Sequence, residues 1–160
     1  MRITYNARDI VSDEFFEHTQ RDSLNYHLPS HYSMEFVLVT KGTLAVTIGE
    51  EICTIHENQA LLVPSFIPHG FRTPEGEESS AEILMFSPEL VRDFYLFLCS
   101  HDCLQHSFST TIEDRQMLLR FLPCGTVYEK KTLLYGFISL FMENNEFVPK
   151  QMNYSEQTFH

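Results

Sequence analysis

His31-Tyr-Ser-Met-Glu35-Phe-Val-Leu-Val-Thr-Lys-Gly42, written HYSMEFVLVTKG, sets a histidine and a carboxylate four residues apart at the start of an apolar, β-type run. Side chains two apart on a strand share a face. His31, Ser33, Glu35, Val37 and Val39 therefore form one row, and Met34, Phe36 and Leu38 the other. Both rows are apolar beyond Glu35, which predicts a strand covered on one side by a barrel interior and on the other by C-terminal helices. A carboxylate pointing into a barrel needs a partner or a polar ligand, because an unpaired buried charge is costly. Glu35 is thus either a rim residue facing water or a functional one.

Outward from this stretch, short β-branched and aromatic runs alternate with turn residues, the pattern of an all-β sandwich or barrel. MEFVLVT leads through Lys41-Gly42 into TLAVTI, and Gly49-Glu50 turns into EICTI. Glu57-Asn58 leads to ALLVP, HGFRT follows, and Pro74-Glu-Gly76 precedes AEILMF. The N-terminal segment adds one or two edge strands. After Ser87 the period moves toward 3.6. Ser87-Pro88-Glu89 reads as a cap, a first-turn proline and a first-turn carboxylate, followed by the apolar face Leu90, Val91, Phe94, Phe97 and Leu98. A second helix opens near Thr111 with Ile112, Met117, Leu118 and Phe121, and stops at Pro123-Cys-Gly125. A third opens on Thr126 and Glu129, at capping-box spacing, and carries Val127, Leu134, Phe137, Ile138 and Phe141.

The 160 residues suffice for one compact domain. Apolar residues make up 43% and charged residues 21%, an ordinary balance for a globular protein. No run is long enough to cross a membrane, and the N-terminus has no secretory h-region, so the expected compartment is the cytoplasm. The net charge is −11, with 11 Lys and Arg spread thinly. Phosphate backbones are bound by clustered cations, so this chain is a poor nucleic-acid binder by itself. Cys53, Cys99, Cys103 and Cys124 read as free thiols. Cys99, His101, Cys103 and His106 lie close in sequence, but compact zinc sites draw ligand pairs from separated segments. They read as small buried thiols beside exposed histidines at a fraying helix end.

A second motif follows: Asn58-Gln-Ala-Leu-Leu-Val-Pro64-Ser-Phe-Ile-Pro68-His69. Two prolines stiffen the chain just before His69, which fixes its backbone before a ligand arrives and suits a binding site. Together the two motifs resemble those of cupins, and more narrowly those of the sensing domain of AraC family transcription regulators. Glu35 and Gly42 keep the first motif's spacing, and Asn58, Pro64 and His69 that of the second. ALLVPSFIPHGF and SPELVRDF are typical of the AraC-type sensing domains. The resemblance covers roughly residues 20–145. It departs from the metal-binding pattern in three ways: Pro29 stands where a histidine is usual, His31 and Glu35 are one residue closer than usual, and Asn58 and Phe66 replace glycines.

The resemblance implies a mainly β fold with C-terminal α: a cupin-like (double-stranded β-helix or jelly-roll) barrel followed by two or three helices. Residues 1–87 would be the effector-binding barrel with its N-terminal arm, with residues 1–20 as a lid. Residues 88–145 would be a helical dimerisation segment, and 146–160 a linker toward an absent helix-turn-helix domain that binds DNA. The implied function is that of the effector-sensing and homodimerising part of a bacterial regulator, not an enzyme. A small polar molecule, such as a sugar, would be held by His31, Glu35 and His69 between walls of Tyr5, Tyr32, Phe66 and Phe71. Tyr128, Tyr135 and Phe141 are the dimer candidates. No cofactor is expected. The alternative is a stand-alone cupin dioxygenase, isomerase or epimerase with a divalent metal on His31, Glu35 and His69.

Overall fold

A computed structural model describes residues 14–151. Tyr5 and most of the expected lid lie outside the described residues. The strands are β1 (Phe16–Asp22), β2 (Asn25–Leu28), β3 (Met34–Ile48), β4 (Glu51–His56), β5 (Gln59–Val63), β6 (His69–Arg72), β7 (Ser79–Phe86), β8 (His101–Cys103), β9 (Ser107–Ser109) and β10 (Phe147–Pro149). The helices are α1 (Arg92–Ser100), α2 (Ile112–Leu119) and α3 (Val127–Glu143), with a 3₁₀ turn at Pro88–Val91 leading into α1.

β3 organises the molecule. The sequence predicts a turn at Lys41-Gly42; instead the chain runs on as one 15-residue strand with a bulge between Val39 and Lys41. Gly42 makes the bend possible: its φ is +75°, and a Cβ there would lie 1.9 Å from the Glu78 carbonyl oxygen. The N-terminal half of β3 pairs with β7 and β5. β1 and β9 extend this half-sheet to the order β1-β7-β3-β5-β9. The C-terminal half of β3 pairs with β4 and β6, and β2 adds to β6. One strand thus serves two facing half-sheets.

Residue parity then sorts the core. Val37, Val39, Leu44, Val46, Ile48, Ile55, Leu61, Val63, Phe71 and Ile83 fill the interior between the half-sheets. Met34, Phe36, Leu38, Leu62, Leu84 and Phe86 face the other way, against Leu90, Phe94, Leu133, Leu134, Phe137 and Phe141. The Phe36 ring lies between those of Phe86 and Phe137, with centroids 5.6 and 5.2 Å away. The expected double cover of this strand is present.

The helical part is less separate than residues 88–145 suggest. β9 sits inside it and closes the edge of the half-sheet on β5. Within the expected linker of residues 146–160, Phe147–Pro149 forms β10, paired with β8. Residues 152–160 lie outside the described residues. α1 does not fray, since His101 continues directly into β8. Cys99 is exposed, not buried. On α2, Ile112 and Met117 are exposed and only Leu118 is buried, because two turns present one narrow face. The capping box at Thr126 forms as expected: its hydroxyl accepts from Glu129 N–H, and the Glu129 carboxylate accepts from Thr126 N–H.

Candidate functional site

Glu35 is the second residue of β3, opposite Val63 of β5 and Met85 of β7, and parity turns it into the barrel. His69 is the first residue of β6, opposite Leu28 of β2 and Ile48 of β3. His31 precedes β3, and its carbonyl accepts the Phe66 N–H at 2.7 Å. The two motifs converge here. His69 Nε2 meets Glu35 Oε2, and His31 Nε2 lies 3.4 Å from the same oxygen. The imidazole centroids are 4.9 Å apart and nearly perpendicular. Glu35 and His69 are fully buried and His31 nearly so. Among the described residues, this is the one group of three metal-type ligands close enough to share an ion. Cys99, His101, Cys103 and His106 do not converge in this way.

The protonation pattern follows from the backbone. His31 Nδ1 lies 2.8 Å from the Ser33 carbonyl, and His69 Nδ1 lies 3.0 Å from that of Ile67. A carbonyl oxygen only accepts, so both Nδ1 atoms carry protons and donate. Both Nε2 atoms are thereby turned toward Glu35. Two lone pairs facing each other repel, so a proton or a cation must lie between His69 Nε2 and the carboxylate. Burial alone would raise the Glu35 carboxyl, but the hydrogen bonds and charge of His31 and His69 outweigh it and hold Glu35 down at about 2. The donor set also fits a divalent cation: two imidazoles steadied through Nδ1–H to carbonyls, and one ionised carboxylate. A metal there would supply Lewis acidity at the barrel interior.

Glu35 also borders a cavity of about 470 Å³ lined by Thr19, Arg21, Asn25, Tyr26, Ile83 and Met85 among others. Pockets for small ligands fall in this size range. Tyr26 is close enough to feel Glu35: burial, then the carboxylate's charge, pushes its phenol up to about 12. It therefore stays a neutral hydrogen-bond donor. The sequence reading missed Tyr26, Asn25 and Arg21, which lie on weakly patterned edge strands. A polar-aromatic stretch, Ser23-Leu-Asn-Tyr26, just ahead of the first motif was the available signal.

The expected aromatic walls divide. Phe71 is buried and its ring lies 5.7 Å from that of His69, so it backs the cluster. Phe66 and Tyr32 pack together, with centroids 5.7 Å apart, but Phe66 lines a different cavity. His27 stays out of the cluster and lies against Gly70, where a Cβ would be 2.1 Å from its Nδ1. Asn58 and Phe66 hold φ of +66° and +63°, so the backbone keeps the conformation that glycine favours.

Residues 19–87 match the family model described as Cupin domain, and with its helices on one face the fold is that of a cupin. No curated protein matches the sequence. The chain is similar in structure to the Cnp3 cupin domain of Schizosaccharomyces pombe, at 12% identity and TM-score 0.43, over 49% of this chain and 61% of that one. It is also similar to the Cupin_2 domain of an XRE family transcriptional regulator from Enterobacter cloacae: 22% identity, TM-score 0.42, 46% of this chain and 82% of that one. Oxalate decarboxylase from Bacillus subtilis gives 20% identity and TM-score 0.41, over 46% of this chain and 22% of the enzyme. The match thus spans less than two thirds of the yeast domain and under a quarter of the enzyme. No helix among the described residues is long and apolar enough to cross a membrane.

Proposed function

We propose that the chain is the effector-sensing and dimerisation part of an AraC-type transcription regulator, taking a small polar molecule into the barrel beside Glu35. The observation that carries this reading is an ionised, fully buried carboxylate bordering a cavity of about 470 Å³. Glu35 would accept from ligand hydroxyls, and Tyr26 and Asn25 would add polar contacts. The resemblance of ALLVPSFIPHGF and SPELVRDF supports the regulator assignment. In that reading DNA is bound by a helix-turn-helix pair outside these 160 residues. Ligand would favour one arrangement of barrel and helices over another. Leu96, Ile112, Met117 and Tyr128 leave apolar surface on all three helices for a second copy. Phe141 belongs to the core and drops out of that surface.

Thermal-shift screening against sugars, polyols and hydroxy acids tests the reading. A ligand raises the melting temperature by mass action, and Glu35→Gln abolishes the increment. A screen without hits, or hits indifferent to Glu35→Gln, overturns it.

The second reading is a metal-dependent cupin enzyme, favoured by the two Nδ1–H donations that aim both Nε2 atoms at Glu35. Elemental analysis of protein purified without chelator separates the two. Stoichiometric iron, manganese or zinc, lost in His69→Ala, replaces the first reading with the second.

A further inference from the structure

The loop from Pro64 to Pro68 has two attachments. Toward the barrel it is tied to the cluster: Phe66 N–H donates to the His31 carbonyl, and the Ile67 carbonyl accepts from His69 Nδ1–H. Toward the helices it walls a second cavity of about 570 Å³, whose apolar lining includes Met34, Ile67, Tyr95 and Leu98. This lining shares no residue with the cavity beside Glu35.

Two features of the loop point to a ligand. Phe66 lines the cavity while 54% exposed and held at φ +63°. A bulky residue at positive φ is strained, and such strain collects at functional positions. Glycine would take this backbone freely; phenylalanine adds an aromatic face beside Tyr32 and nothing the turn itself requires. In the same lining, the Ser65 hydroxyl oxygen is buried without a hydrogen-bond partner. A buried hydroxyl in that state is satisfied by a polar atom arriving from outside the chain.

We propose that this cavity is a second small-molecule site, for a flat aromatic molecule carrying one hydrogen-bonding group. The ring stacks on Phe66 and the polar group bonds Ser65. Because the same loop holds His31 and His69, occupancy is felt at the histidine–carboxylate cluster. The site stands whether the barrel takes a polar effector or a metal.

Indole and phenol are the probes, followed by NMR of the methyl and imidazole groups. Saturable shifts are expected at Met34, Ile67 and Leu98, with smaller shifts at the imidazole of His69. Phe66→Gly is expected to weaken binding about tenfold while the melting temperature holds or rises, since the strain is relieved. Ser65→Ala weakens it several-fold. The proposal is overturned if no saturable shift occurs, or if shifts appear only at Ile83 and Met85 of the other cavity. It also falls if cyclohexanol binds as well as phenol, or if Phe66→Gly lowers the melting temperature and leaves binding intact.

Discussion

Glu35 and His69 belong to strands in opposite halves of the barrel, yet their side chains meet in its interior, Oε2 against Nε2, with neither more than 1% exposed. A buried carboxylate–imidazole contact so placed is weak evidence of stability, because desolvating charged groups costs about what their attraction returns. Breaking one side is a different matter. His69→Ala leaves the carboxylate buried with His31 as its remaining partner, and the expected loss is about 3–5 kcal/mol. Replacing both ends, as Glu35→Met with His69→Leu, restores most of that loss by exchanging charge for packing. Urea denaturation with an unchanged slope checks both values. A His69→Ala loss under about 1 kcal/mol would show that the carboxylate finds water or another partner instead.

The bend in β3 supplies a sharper contrast. Gly42 and Gly76 both hold positive φ, +75° and +80°. Around Gly76 nothing lies within reach of an added Cβ, so Gly76→Ala meets only the backbone penalty, about 1–2 kcal/mol. At Gly42 the added carbon would strike the Glu78 backbone, which cannot move without parting β3 from β7. Gly42→Ala is expected to lose at least about 3 kcal/mol. Thermal melts of the two variants side by side check the difference, and equal losses would refute the steric argument.

How much of this was legible beforehand depends on which residues carried the signal. The alternation in MEFVLV specified both covers of β3, because parity is a local property of a strand. Thr126 and Glu129 marked the start of α3 because a capping box needs four residues and nothing distant. The spacing of Glu35, Pro64 and His69 located the cluster. What stayed hidden was long-range. Lys41-Gly42 reads as a turn unless the Glu78 carbonyl is known to press on it, since a bulge and a turn ask for the same glycine. Phe66 looked like a wall for Glu35, but its positive φ carries the ring to another cavity. Tyr26 and Asn25 were invisible as pocket residues because β2 has four residues and no clear alternation.

Tyr135 and Asp93 give a test at alkaline pH. The phenol donates to the Asp93 carboxylate, joining α3 to α1. Burial first, then this bond and the carboxylate's charge, raises the Tyr135 phenol to about 12. The bond to Tyr135 lowers the Asp93 carboxyl. A group whose folded value lies above its unfolded one holds its proton longer when folded. Its contribution is complete below the unfolded value of about 10, and is lost as pH rises through about 12. Stability should therefore fall across that window, less steeply in Tyr135→Phe. Ultraviolet titration of tyrosinate in Asp93→Asn should show Tyr135 ionising earlier than in the parent protein.

Phe36 tests whether barrel and helices unfold together. Its ring is fully buried between Phe86, at the end of β7, and Phe137, in the middle of α3. The same side of β3 carries Met34 and Leu38 into the helices, so the helical segment has no core apart from the barrel's outer face. β9 strengthens the tie by pairing with β5 of the barrel. Phe36→Ala should cost about 3–5 kcal/mol, with helix and strand signals lost in one shared transition. Circular dichroism for the helices and the NMR ring signals of Tyr26 for the barrel edge provide separate probes. Coincident midpoints in the parent and in Phe36→Ala are the expected result. A helical signal that melts first, leaving Tyr26 in its folded environment, would mean that residues 88–145 are an independent unit after all.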